Sequence, residues 1–202
     1  MRKIVLLILC FSACACKKEV TKIEPIAFKI PDNITAMADT NFGKRQGILY
    51  YAQIPFSGFV IESYSSKKLA FKNGYWNGKL EGIQEKWYSD GSKMEIRFYH
   101  ANRKIGKHTG WWENKKIKFE YFIENDIPIE MHREWYPNGQ LYSLSTYNTK
   151  GQPEGTQQMW FETGQIKANY VIKDGRRFGF LGAKGCISEG EKKQTGLNFK
   201  KK

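Results

Sequence analysis

Six positions divide the middle of the chain at near-constant intervals: Gly58, Gly82, Gly106, Glu130, Gly155 and Gly179 stand 24, 24, 24, 25 and 24 residues apart. Five residues after four of these markers comes a Trp (Trp87, Trp111, Trp135, Trp160), with Ser63 in the first unit. Six residues after the first five markers comes an aromatic in every case: Tyr64, Tyr88, Trp112, Tyr136 and Phe161. Nine residues after, three units carry Gly91, Gly139 and Gly164, and the other two carry Lys67 and Lys115. A period of this length marks supersecondary modules that bury their apolar faces only by stacking on neighbours. It restricts the chain to a tandem array.

Each unit reads as a β-hairpin. The segments WYSDGS, WYPNGQ and WFETGQ place Asp-Gly, Asn-Gly or Thr-Gly between strand-like runs, which is a hairpin signal. The second strands alternate, as in Ile117, Phe119, Tyr121, Ile123 and in Ile166, Ala168, Tyr170, Ile172, with polar residues between. Period two with one apolar face describes a half-buried antiparallel strand. Second turns, such as residues 77–82 and 173–179, lead to the next unit. Pro137 fixes φ at the start of a type I turn and leaves Gly139 free to take positive φ. The resulting three-residue loop pairs Tyr136 with Gln140 and Trp135 with Leu141. Since Leu141 continues the apolar phase, this reading turns the Trp row to the core. It leaves Tyr64, Tyr88, Trp112, Tyr136 and Phe161 on the other face as a possible binding surface, aromatics being common interface anchors. The same row serves equally to pack against its own sheet. The expected fold is all-β: an elongated, open antiparallel sheet of tandem hairpins.

The pattern resembles the MORN repeat in its bacterial variant, with WY-x-NG-x-L at Trp135–Leu141 and Gly-rich second turns such as Asn77–Gly82. The opening Pro55–Gly58 and the preceding Arg45–Tyr51 resemble the start of such an array, and the likeness extends over residues 44–183. It implies a twisted single sheet with a grooved face and a binding or scaffolding role. Many bacterial proteins of this kind carry an antitoxin label, so the alternative it implies is an antitoxin or immunity-type protein that neutralises a partner toxin.

The N-terminus argues for export. Met1-Arg2-Lys3 is followed by an apolar run at residues 4–15, which as a helix spans ~18 Å and is too short for a ~30 Å hydrocarbon core. It reads as a secretory signal over residues 1–15. Small residues Ser12-Ala13-Cys14-Ala15 precede Cys16, which resembles a lipoprotein signal whose Cys16 takes palmitate or a similar acyl chain; Cys14 is the competing site. Lipidation with more than one chain gives stable anchoring, so the expected location is the cell envelope, on the outer membrane. Residues 16–43 read as a tether with a short helix near Asn33–Asp39, and residues 184–202 as a basic flexible tail.

Nothing in the sequence carries a catalytic motif: G-x-S-x-G, H-E-x-x-H, P-loop and G-x-G-x-x-G patterns are all missing. His108 and His132 share a phase in adjacent units, which sets them two strands or about 9–10 Å apart, too far for one zinc ion; they read as surface or groove histidines. Cys186 is the one cysteine beyond Cys16 and reads as an inert residue of a truncated last unit. Glu85, Glu113, Glu134 and Glu162 hold no common phase, so no acid–base pair can be named. No enzyme activity, cofactor or metal is expected. The net charge of +13 fits solvated edges guarded by Lys or attraction to anionic headgroups; export argues against nucleic acid. The expected partners are a membrane, through the N-terminal lipid, and a protein.

Overall fold

The computed structural model describes residues 30–181. Among them every regular element is a strand, and they form two sheets. The long sheet is built from five hairpins and a final strand. First strands are β5 (Gly58–Ser63), β7 (Lys79–Trp87), β9 (Arg103–Trp111), β11 (Ile127–Trp135), β13 (Pro153–Trp160) and β15 (Arg176–Phe180). Second strands are β6 (Leu69–Trp76), β8 (Lys93–His100), β10 (Ile117–Glu124), β12 (Leu141–Tyr147) and β14 (Ile166–Lys173). Each is hydrogen-bonded to its sequence neighbour, and β1 (Ile34–Ala36) is the outermost strand at one end, pairing parallel to β5. The result is the open ribbon of hairpins expected from the 24-residue period.

The turns alternate between two designs. Along one side, all five hairpins close with the three-residue loop deduced from Pro137. Tyr136 N–H donates to the Gln140 carbonyl at 2.9 Å, and the same bond joins Tyr64 to Lys68, Tyr88 to Ser92, Trp112 to Lys116 and Phe161 to Gln165. The ninth position takes positive φ whether it is Gly139 (93°) or Lys115 (67°). Along the other side run two-residue turns with both residues at positive φ, as at Ala101 (48°) and Asn102 (72°), the geometry that matches strand twist. The exception is Asn148–Gln152, where a three-residue loop, with Asn148 N–H donating to Gln152 at 2.9 Å, absorbs the extra residue of the 25-residue interval. The markers themselves sit in left-handed backbone, Glu130 (φ 58°) included. The strand register shifts opposite Gly82, Gly106, Glu130 and Gly155, so each marker makes a bulge that increases local twist.

The sequence reading differs from the structure at the start. Around Asn33–Asp39 there is no helix but the strand β1, paired from Ile34↔Phe59 to Ala36↔Ile61, so these residues of the expected tether belong to the folded body. Arg45–Tyr51, expected to open the array, instead contributes to a separate sheet of β2 (Phe42–Arg45), β3 (Ile48–Tyr51) and β4 (Ile54–Pro55). That sheet packs on the first hairpin: Leu49, Phe56 and Val60 are buried together against Phe42, Tyr51, Phe71 and Tyr75. Backbone bonds Leu49 N–H to Gly78 O (2.8 Å) and Gly78 N–H to Phe56 O (2.7 Å) tie it down. The leader, Cys14, Cys16, Cys186 and the basic tail lie outside the described residues.

Candidate binding groove

Among the described residues, six of the seven buried side chains of the repeats occupy one face; Glu81 instead turns to His100 and the Ala101 N–H. Val60, His108 and Gln157 stand two residues after their markers, and Glu95, Phe119 and Ala168 thirteen after. The pairing Phe119↔Gly110 and Tyr121↔His108 puts both positions on the same side. Strand alternation adds the sixth position to this groove face and the fifth, the Trp row, to the opposite one. This reverses the expected orientation. The pairing Trp135↔Leu141 is as deduced, but the second strand bulges directly afterwards. Ile117 therefore pairs with Trp111 while Phe119, two residues on, pairs with Gly110. The apolar phase changes face at the bulge.

The row of Tyr64, Tyr88, Trp112, Tyr136 and Phe161 has a structural duty first. Tyr64 and Tyr88 donate their hydroxyls to the carbonyls of Trp87 and Trp111, each at 2.8 Å; Trp112 Nε1–H donates to Trp135 O at 3.0 Å, and the Tyr136 hydroxyl to Trp160 O at 3.1 Å. Each unit is stapled to the next. Phe161 has no such donor and is 46% exposed. The turns are laced similarly, with Lys68 Nζ bonded to Asp90 O at 2.6 Å and Asn114 Nδ2 to Pro137 O at 2.7 Å, so part of the basic edge is engaged.

The histidines are structural donors. His108 is fully buried, not a surface residue; its Nε2 lies 3.1 Å from Phe98 O, and His132 Nε2 lies 2.8 Å from Phe122 O. Gln157 makes the equivalent bond to Thr146 O at 2.8 Å. Burial holds both histidines below the usual imidazole range. Tyr121 lies against His132, ring centroids 4.9 Å apart, and no group of three or more metal-ligating side chains occurs among the described residues. Next to His108's strand, burial pushes the Glu95 carboxyl up, but Lys86 at 2.7 Å and Arg97 at 2.9 Å outweigh it and hold the pKa low.

Between the third and fourth units the groove face opens into a cleft of about 280 Å³. Phe119 and Tyr121 line it as a stacked pair, 4.7 Å between centroids. Phe119 can sink because its partner is Gly110, where a Cβ would come within 2.2 Å of the ring; other units carry Glu62, Lys86, Glu134 or Met159 at that position. Trp112, Tyr136 and Tyr142 also line the cleft, Tyr142 edge-on to Tyr136 at 5.2 Å. Lys118 Nζ lies 4.3 Å over the Trp112 ring, and Glu134 accepts the Tyr121 hydroxyl. Burial and that carboxylate push the Tyr121 phenol well above its usual range. The result is a rigid aromatic concavity with one cation and one carboxylate at its rim. Of the sequence candidates, Trp112 and Tyr136 are brought together here; Tyr64, Tyr88 and Phe161 are not. Tyr142 and Glu134 were not foreseen as lining residues. The one local signal was Gly110, a small residue where its counterparts are long.

Residues 132–149 and 153–172 match the MORN repeat variant family. The two matches meet at the Asn148–Gln152 loop; the first runs from the end of β11 through β12, and the second takes in β13 and β14 up to Ile172. These two repeats are thus MORN-like in sequence, and the sheet of successive hairpins is consistent with MORN repeats in form. No curated protein matches the chain.

Proposed function

We propose that this chain is a non-catalytic protein of the cell envelope, held on the outer membrane by a lipid at Cys16, whose MORN-type ribbon presents its groove face to a protein partner. The observation that carries the binding role is the cleft at Trp112, Phe119, Tyr121, Glu134 and Tyr142. Four of the five units use a donor at the sixth position, but the repeat does not need Phe119, Tyr121 and Tyr142 together: their aromatic counterparts elsewhere are single ones, Phe71 in the first unit and Tyr170 in the fifth. Trp112 and Tyr121 are fixed by their own hydrogen bonds and Phe119 and Tyr142 by ring contacts, and large aromatic side chains already held in place lose little entropy on contact, which suits them as anchors. The leader supports the anchor, with the small residues before Cys16 and the short apolar run.

Two measurements test this reading. Labelled palmitate should enter the wild-type chain and not Cys16→Ala; label retained in that variant points to Cys14, and no label in either removes the anchor. A photo-reactive phenylalanine analogue at Tyr142 should give a discrete adduct in cells that is absent when the analogue replaces Ile83 on the opposite face. Equal labelling from both sites, or none, contradicts a groove-specific partner. An adduct with a toxin encoded beside this chain, and growth rescue on co-expression, would turn the reading to the antitoxin alternative.

A further inference from the structure

The two ends of the ribbon are finished differently. At one end β1 pairs with β5, and the β2–β4 sheet packs over the first hairpin. At the other, β15 has a described neighbour on one side only, all five of its residues are exposed, and Phe178 and Phe180 are 56% and 49% exposed. We propose that this edge pairs with the same edge of a second copy, joining two ribbons into one continuous sheet.

The argument is stereochemical. The two-residue turn Asp174–Gly175 closes the last hairpin at Lys173↔Arg176, and the pair that closes such a turn exchanges both backbone bonds. Alternation then directs the N–H and C=O groups of Phe178 and Phe180 toward β14, and those of Arg177 and Gly179 outward. A copy placed antiparallel about a two-fold axis at Phe178 overlaps the whole of β15. In that register each Arg177 exchanges both bonds with the second copy's Gly179, giving four backbone hydrogen bonds, and the two Phe178 side chains meet on the axis. Arg176 falls opposite the second copy's Phe180, where a cation over a ring is favourable. Two-fold pairing of this kind is self-complementary and closes on itself because both copies use up the same edge; at the other end the outermost strand is the three-residue β1. An uncovered strand edge carrying apolar side chains is otherwise a hazard.

Five-residue edges bury less than the ~1,200 Å² typical of stable complexes, and Arg176 and Arg177 from both copies repel. The dimer is therefore weak at low salt and strengthened as salt screens the arginines. Confinement of both copies to one membrane raises their effective concentration.

Cysteine scanning in a Cys186→Ser background tests the register. Residues facing each other in a non-hydrogen-bonded pair have Cα atoms ~4.5 Å apart, within disulfide reach. Phe178→Cys should therefore form a cross-linked dimer on mild oxidation, while Arg177→Cys and Phe180→Cys, which oppose other residues, should not. Light scattering should show a dimer fraction that rises with protein concentration and with salt. Arg177→Pro, which removes an outward N–H and leaves the β14 bonds intact, should abolish the dimer with the circular dichroism unchanged. A monomer at all concentrations with Phe178→Cys silent overturns the proposal and leaves the edge to the chain's own C-terminal residues or to another protein. Equal linking at all three positions overturns it too. The groove reading stands or falls separately, since the groove cleft is remote in sequence from β15 and the cysteine scan does not touch it.

Discussion

Single residues expose where the repeat is strained. Lys115 and Glu130 occupy positions where sister units have glycine, and they adopt the same left-handed backbone, φ 67° and 58°. That conformation costs an L-residue ~1–2 kcal/mol, partly offset by the freedom a glycine loses on folding. Lys115→Gly and Glu130→Gly should each stabilise the chain by ~0.5–1 kcal/mol, seen as a higher denaturant midpoint at unchanged slope. His108 makes the opposite case. It is buried and held neutral, while an unfolded histidine titrates near ~6.5. Below that pH the unfolded chain binds more protons, so stability is full above ~6.5 and falls as the solution is acidified. His108→Gln, which copies the bond made by Gln157, should keep neutral stability and flatten the acid loss in melts at pH 7.5 and 5. His108→Leu should cost ~1–3 kcal/mol at either pH by leaving the Phe98 carbonyl short of a donor.

Strands and turns show what was legible and what was not. Turn chemistry is local, so Pro137, Asn138 and Gly139 were enough to give the loop and the Trp135↔Leu141 pairing. The face of each row was not legible, because bulges at Ile117/Phe119 and at the markers reset the two-residue alternation, and sequence phase alone carries no sign of them. Nor was β1: three residues pairing parallel with a partner some 25 positions on leave no periodic trace. The groove cleft escaped because its residues come from two units and meet only through sheet pairing. Gly110 is its structural key. Gly110→Ala should force Phe119 off its seat and destabilise by ~1–3 kcal/mol, with loss of the Tyr142 photo-adduct at temperatures where the chain is still folded. Gly74→Ala serves as a control of the opposite kind: there a Cβ would meet the Glu81 carbonyl at 2.6 Å, so stability should fall with no selective effect on the groove.

Over the whole molecule, stability is a sum of unit and interface contributions. No described layer covers the long sheet from end to end. The buried apolar cluster sits at the capped end, around Leu49, Phe56 and Val60, and the rest is held by staples from one unit to the next. The net charge of +13 opposes close association with other cations and favours solubility. Within this scheme a unit is interchangeable: what each offers the next is a Trp carbonyl, a strand edge and a bulge.

Excision of one unit, residues 82–105, tests that claim most directly. It joins Glu81 to Gly106 and brings Trp111 to the place of Trp87, so the Tyr64 hydroxyl finds an equivalent carbonyl. The account predicts a folded, shorter ribbon with β-type circular dichroism, one cooperative melt and a lowered midpoint. A chain that is unfolded after this in-phase excision, or one that tolerates an out-of-phase deletion of equal length as well, would contradict it.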